Sequence, residues 1–458
     1  MIRMHPEKLR PEKLHPENHR WVTGDQFGLA FPADPVGLRR GGPRFLTDAF
    51  RAAGVLGGDN SVTRITEFHE VAGGSTGRKV ALAVEYDKAA AGVHTNLFVK
   101  FSRDLDNPLR DRGKTQMEPE VRFASLSRVP GFPIAVPQVQ FGDYHRRSGT
   151  GILITERIRY GDRGIERHYH KCLDYEMPEP LDHYRALLTA LARLAGTHRS
   201  GRLPAGLNSH FPLDVQTATV GDRAPLSPDK LGRRLTRLAE FVATHPGLLP
   251  ANVRSPEFLA RLREDVPRIA HHEDTVARQL AADSDYVALC HWNANIDNAW
   301  FWRDGDDVLH CGLMDWGCVS QINMGMAIWG AMSGAETNLW NRHLDELLHL
   351  FVAEVHCYGG PNLDPDRLRR HTLLYAAVMG VAWLLDVPAL MRKRFGADLP
   401  GSRRDPRIKD DESVRAPLQM LSNLLNLWER HHLGDLLDAA LADSGPRLPE
   451  GDEGRCIG

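Results

Sequence analysis

Residues 285–317 read DYVALCHWNANIDNAWFWRDGDDVLHCGLMDWG, and they gather side chains suited to handling charged oxygen. An apolar run leads into a loop that carries His291, Asn293, Asp297 and Asn298. The runs AWFW (299–302) and VLHCGLM (308–314) follow, joined by RDGDD, where Asp304-Gly305 suits a tight hairpin turn. The second run delivers Asp315 at its end, so the hairpin brings Asn298 and Asp315 close together. An amide oxygen beside a carboxylate fits Mg²⁺, which takes hard oxygen ligands, keeps several waters and is shared with nucleotide phosphates rather than caged by protein. Singly, Asn298 would close a loop and Asp315 would cap a turn. The order of His, Asn, Asn, hairpin and Asp-Trp-Gly favours the ligand reading.

Two patterns upstream serve the same chemistry. GGSTG (73–77) contains Gly73, Gly74 and Gly77, which let backbone N–H groups approach phosphates closely; it reads equally as a plain hairpin turn. Lys100 ends the β-rich run TNLFVK beside that turn, where a point cation can hold α/β-phosphates; the alternative is an exposed edge lysine.

The elements that must position these residues follow from periodicity. PRFLTDAFRAAGVL (43–56) has helical spacing and ends at Gly57-Gly58. SVTRITEFHEV (61–71), KVALAVEY (79–86), TNLFVKF (95–101), PQVQFGDYH (137–145) and GILITERI (151–158) read as five antiparallel strands. EPEVRFASLSR (118–128) is a helix inserted after the third. Beyond residue 160 helices dominate: 183–201, 229–243, 256–281, 340–357, 365–386 and 414–441, with a β island at 286–314. A small sheet domain followed by a larger helical one is α+β, with a cleft between lobes as the natural ligand site. The implied division is a flexible arm over 1–42, an N-lobe over 43–158, a C-lobe over 159–442 with the loop and hairpin at 286–317, and a disordered tail over 443–458. Within the arm, PEKLRPEKLHPEN (6–18) repeats Pro too often for helix or strand, and 22–42 is Gly/Pro-rich and loop-like.

Composition excludes several classes. The 458 residues carry a net charge of −2, which gives no reason to expect nucleic acid or an anionic membrane as partner. The N-terminus has no apolar core of a secretory signal, and LLYAAVMGVAWLL (373–385) is too short to span a bilayer, so a cytoplasmic protein is expected. The six cysteines form no CxxC pair and sit mostly in apolar surroundings, which predicts buried free thiols rather than a disulfide or zinc framework. Six of the nine tryptophans fall between 292 and 340, as core packing or as an aromatic wall for a ring-shaped substrate; packing is preferred because AWFW must bury one face.

The stretch around His291 resembles the aminoglycoside phosphotransferase and choline kinase-like superfamily, whose members carry His-x-Asp-x₄-Asn, a strand pair and an Asp, often Asp-Trp. The resemblance runs over roughly 43–390. It implies a bilobal protein kinase-like fold, with a small antiparallel β-sheet N-lobe and a larger, mainly helical C-lobe. It implies ATP or GTP and Mg²⁺ as cofactors and a small-molecule hydroxyl as acceptor, with no nucleic acid and no membrane. It places Lys100 in the VKF strand, paired with a Glu of the following helix; Glu120 is the first choice and Glu118 the second. It puts GGSTG, including Ser75, in the phosphate-covering loop, Glu156 of LITERI at the hinge, and His198 at the end of the LARLAGTHRSG helix.

One position departs from that pattern. Asn293 stands where the superfamily has its catalytic Asp, and no shift of register restores it. An amide can accept a hydrogen bond but cannot take a proton, and losing a general base costs on the order of 10²–10⁴ in rate. Phosphoryl transfer relies mainly on positioning and charge neutralisation, so Asn293 can still align a hydroxyl. Asp297 is either a substitute base or a loop carboxylate bonding local backbone. A second departure is CVSQINMGMAIWGAMSG (318–334), which supplies no later acid. The leading expectation is an ATP- and Mg²⁺-dependent phosphotransferase. The alternatives are a catalytically impaired nucleotide-binding sensor or scaffold with a protein partner, and other chemistry at the same site, such as nucleotidyl transfer.

Overall fold

The computed structural model describes residues 21–74, 76–204, 206–213 and 226–443. The chain forms two compact units. The first runs to Phe132 and adds Val136–Arg159 and Asp315–Cys318; the second comprises Pro133–Ala135, Tyr160–Met314 and the chain from Val319.

In the first unit, β1 (Trp21–Thr23) and β2 (Ala30–Pro32) form a short antiparallel ribbon, followed by α1 (Pro35–Ala52). Strands β3 (Val62–Glu70), β4 (Arg78–Tyr86) and β5 (Asn96–Phe101) come next, then the single turn α2 (Pro108–Asp111) and helix α3 (Met117–Leu126). Strands β6 (Val139–His145) and β7 (Thr150–Glu156) complete an antiparallel sheet of order β3-β4-β5-β7-β6. These are the five strands and inserted helix expected from the alternation.

Alternation along β5 decides where the chemistry goes. Leu97, Val99 and Phe101 point into a core shared with Val80, Leu82 and Val84 of β4 and Phe45, Leu46 and Phe50 of α1. With a period of two, Lys100 must face the opposite side. That side is covered by α3, whose Met117, Val121 and Ala124 pack with Tyr144 and Leu153.

The segment read as loop, 22–42, instead holds the β1–β2 ribbon and the start of α1. Asp34 caps α1, its carboxylate accepting from the Gly37 amide at 2.7 Å, and Pro35 occupies the first helical position. Both are helix-start signals that the Gly/Pro-rich composition concealed. The helix kinks at Gly42, φ 55°, ahead of Pro43.

The second unit contains α4 (Pro180–Arg199), the single turn α5 (Leu207–His210), α6 (Pro228–Thr244), α7 (Pro256–His271) and α8 (Glu273–Ala282). Strands β8 (Val287–His291), β9 (Ala299–Arg303), β10 (Leu309–Leu313) and β11 (Val319–Asn323) follow, pairing as two antiparallel ribbons, β9 with β10 and β8 with β11. The remaining helices are α9 (Met324–Met332), α10 (Thr337–Cys357), α11 (Pro365–Trp383), α12 (Val387–Phe395), the turn α13 (Pro406–Lys409), α14 (Glu412–His431) and α15 (Leu433–Asp443). Two helices expected to be continuous are broken, at His272 and at His432, the latter at φ 49°. Helix α9 was not expected: every residue in it is buried, so it shows no amphipathic period.

The described cysteines are free, with Cys172, Cys290 and Cys311 buried, as expected. Among the tryptophans of the cluster, Trp300, Trp316, Trp329 and Trp340 are core residues. No single described helix is long and apolar enough to cross a membrane. The repeat at 6–18, Ser75, Cys456 and the tail expected from 443, beyond Asp443 itself, lie outside the described residues.

Candidate functional site

In the first unit, Lys100 on β5 places its Nζ 2.6 Å from Glu120 Oε1 and 2.7 Å from Asp315 Oδ1. Burial alone would lower the basicity of this ammonium; the Asp315 and Glu120 carboxylates outweigh it and raise the pKa above the ordinary lysine value. Lys100 is therefore a fixed cation. Glu118 is two residues from Glu120 and so points to another side of α3, where it pairs with Arg122 and Arg146. The choice between the two glutamates thus falls to Glu120.

Asp315 adopts φ 65°, a left-handed conformation that non-glycine residues rarely occupy. The next residue anchors it: Trp316 stacks on Phe123 of α3 with ring centroids 3.8 Å apart and planes 17° from parallel. Phe123 lies one turn along α3 from Glu120, so a single helix positions both carboxylates that meet Lys100. Trp316 is a positioning residue that the Asp-Trp-Gly pattern signalled only as part of the motif.

The glycine turn precedes β4. Gly73, Gly74 and Gly77 have φ of 111°, 78° and 51°. A Cβ at Gly77 would lie 1.7 Å from the Phe101 carbonyl oxygen, so only glycine fits there. The Arg110 guanidinium donates to the carbonyls of Gly73 and Gly77 and holds the turn from one side.

The His291 loop belongs to the second unit. His291 is fully buried. Its Nδ1 accepts from the Asn293 amide at 3.1 Å, so its Nε2–H donates to the Met314 carbonyl at 2.9 Å. With both ring nitrogens bonded to backbone, His291 holds the loop around Asn293 in shape. The Asn298 side-chain nitrogen donates to the Asn293 carbonyl at 2.8 Å, which turns Asn298 Oδ1 the other way. The Met314 amide donates to the Asn298 carbonyl at 2.9 Å, and Asp315 is the next residue in the chain. The β9–β10 register thus ties the loop to the strand that ends before Asp315, as the hairpin reading required.

The Asn293 side chain is engaged on one edge. Its Oδ1 receives the Asn295 side-chain N–H at 2.6 Å, leaving an NH₂ group on its other edge. Asp297 is largely buried, its Oδ2 3.5 Å from Lys171 Nζ and its Oδ1 without a hydrogen-bond partner among the described residues. Burial raises its carboxyl pKa, with the Lys171 ammonium opposing. Lys171 and Asn295 are residues that sequence reasoning missed: nothing in either pattern announces a partner distant in the chain or an amide's orientation.

Glu156 closes β7. Its Oε1 accepts from the Gln138 amide at 2.8 Å and its Oε2 lies 3.5 Å from His94, so its side chain fastens the start of β6. His198 accepts from the Leu289 amide at 3.2 Å, clamping α4 to β8.

Asp315 in the first unit offers a carboxylate and Asn298 in the second an amide oxygen, each of the hard-oxygen kind that Mg²⁺ takes. Among the described residues no group of three or more His, Cys, Asp or Glu could cage a metal. Magnesium shared with nucleotide phosphates needs no such cage.

No family model and no curated protein matches this sequence. Similar solved structures include choline kinase from Cryptosporidium parvum, 11% identical over 83% of this chain and 93% of that one, with a TM-score of 0.40. A microcompartment-associated aminopropanol kinase is 13% identical over 85% and 98% of the two chains, with a TM-score of 0.40. An aminoglycoside phosphotransferase from Streptomyces rimosus, in complex with ADP and streptomycin, is 16% identical over 69% and 92%, with a TM-score of 0.33. At TM-scores of this size the functional reading rests on the residues of this chain.

Proposed function

We propose that this chain is a nucleotide-dependent phosphotransferase that moves the terminal phosphoryl group of ATP, or GTP, to a hydroxyl of a small molecule. One observation carries the proposal: a lysine beside a glycine turn, held between a helix glutamate and an aspartate that follows a strand pair. Lys100 binds phosphate oxygens and Glu120 fixes its position. Asp315 and Asn298 would hold Mg²⁺, which would supply charge neutralisation on the phosphates. The acceptor oxygen forms the new bond to phosphorus as the bond to the bridging oxygen breaks, and the nucleoside diphosphate leaves. The hydroxyl proton goes to Asp297 or to water, since the Asn293 amide cannot take it.

A second reading has its own support. The hydrogen bond from Asn295 leaves Asn293 presenting a donor, the wrong polarity for accepting a hydroxyl proton. On this reading the chain binds nucleotide with little turnover and serves as a sensor or scaffold for a protein partner.

Transfer of label from γ-³²P-ATP, with Mg²⁺, to pooled amino alcohols, aminosugars and polyols separates the two. The first reading predicts label in a small-molecule product, abolished by Lys100→Met. Binding of nucleotide without any labelled product supports the second. Absence of nucleotide binding sinks both.

A further inference from the structure

Lys79, on β4, lies directly opposite Lys100 in the β4–β5 register. Directly opposed residues project from the same face of a sheet, so the two ammonium groups share the face covered by α3. Their circumstances differ. Lys100 is neutralised by Glu120 and Asp315. The Lys79 side chain has no ion-pair or hydrogen-bond partner among the described residues. Its surroundings are Lys100, Asp315, Glu120 and Arg110, and burial followed by the Lys100 charge lowers its basicity. Burying a cation without a hydrogen-bonded counter-charge is unfavourable.

The end of the side chain lies against the glycine turn. A Cβ built on Gly74 would fall 2.3 Å from Lys79 Nζ, so the ammonium occupies the space beneath Gly74 that the missing side chain leaves. Gly74 has φ 78°, and Arg110 holds the flanking carbonyls of Gly73 and Gly77. A multiply charged anion at the turn would meet backbone N–H groups, the Lys79 ammonium and the Lys100 ammonium together.

We propose that Lys79 is a second phosphate-binding cation, taking the phosphate oxygens nearest the glycine turn while Lys100 stays tied to Glu120. This rests on the nucleotide-binding reading above and adds a residue to it. Lys79 contacts the phosphate chain and not the base, which makes its contribution depend on how many phosphates the ligand carries.

Calorimetric titration of the full chain with ADP, adenosine and tripolyphosphate, each with Mg²⁺, tests this. Lys79→Met is expected to weaken ADP and tripolyphosphate by about 10- to 100-fold, the scale of one charge-assisted hydrogen bond, and to leave adenosine unchanged. Lys79→Arg should stay within about threefold of wild type, because it keeps the charge. Lys79→Gln, which leaves a polar end beneath Gly74, replaces the Met variant if that one loses its folded circular-dichroism spectrum. Unchanged ADP affinity in a folded variant overturns the proposal, as does equal loss for ADP and adenosine, which marks a structural lysine. Wild type that binds ADP while the variants do too sinks only the Lys79 assignment. Wild type that binds neither ADP nor tripolyphosphate overturns the nucleotide reading along with it.

Discussion

Asp315→Asn is expected to lower phosphoryl-transfer turnover by on the order of 10³-fold, the scale lost when a preorganised charge at a phosphoryl or oxyanion site is removed. The variant is chosen for its small structural footprint. Asp315 sits at φ 65°, and Asn is among the few residues that tolerate the left-handed region. The stack of Trp316 on Phe123 stays in place, and Lys100 retains its 2.6 Å contact with Glu120. What changes is the carboxylate charge, offered to Mg²⁺ and to Lys100 Nζ at 2.7 Å, where the amide oxygen of Asn can still accept a hydrogen bond. Thermal melting should therefore move little while turnover collapses, and raising Mg²⁺ should recover part of it. Turnover within threefold of wild type would remove Asp315 from the metal site.

Asn293→Asp carries the second large effect, in the opposite direction. It is expected to raise turnover by about 10²–10⁴, the usual contribution of a positioned general base. The surroundings already suit a carboxylate: the Asn295 side chain donates to the oxygen at this position at 2.6 Å, and with Asp there that bond becomes charge-assisted. The second carboxylate oxygen then replaces the NH₂ edge and can accept the hydroxyl proton. Because the His291–Asn293 backbone bond is untouched, the loop should keep its shape. The measurement is initial-rate ADP release with any acceptor found by label transfer. A variant no faster than wild type would show that proton removal is handled elsewhere; loss of turnover in Asp297→Asn would then locate it at the Asp297–Lys171 pair.

The parts of this site written in local periodicity were legible in the sequence. Lys100 falls on the face opposite Leu97, Val99 and Phe101 because strands alternate, and α3 follows at a length that can cover that face. The β9–β10 hairpin was readable from Asp304-Gly305 and two β-rich runs. Illegible features depend on pairings distant along the chain. Nothing singles out Lys79 until the β4–β5 register sets it opposite Lys100, and the long 87–95 connection conceals that register. The edge that Asn293 presents depends on Asn295, an orientation that no spacing encodes. His291 looked chemical because of its place in a motif, yet two backbone bonds occupy its ring. Helix α9 escaped because uniform burial erases the amphipathic signal, and the start of α1 was hidden by the glycines and prolines that surround its Asp34 cap.

Equilibrium binding of ATP to wild type and to Lys100→Met, with and without Mg²⁺, tests the central claim most directly. If Lys100, fixed by Glu120, holds nucleotide phosphates and Asp315 their Mg²⁺, wild type binds ATP, Mg²⁺ tightens that binding, and Lys100→Met weakens it by at least about tenfold with the fold intact. ATP binding that is indifferent both to Mg²⁺ and to the loss of Lys100, or no binding by wild type, would contradict it.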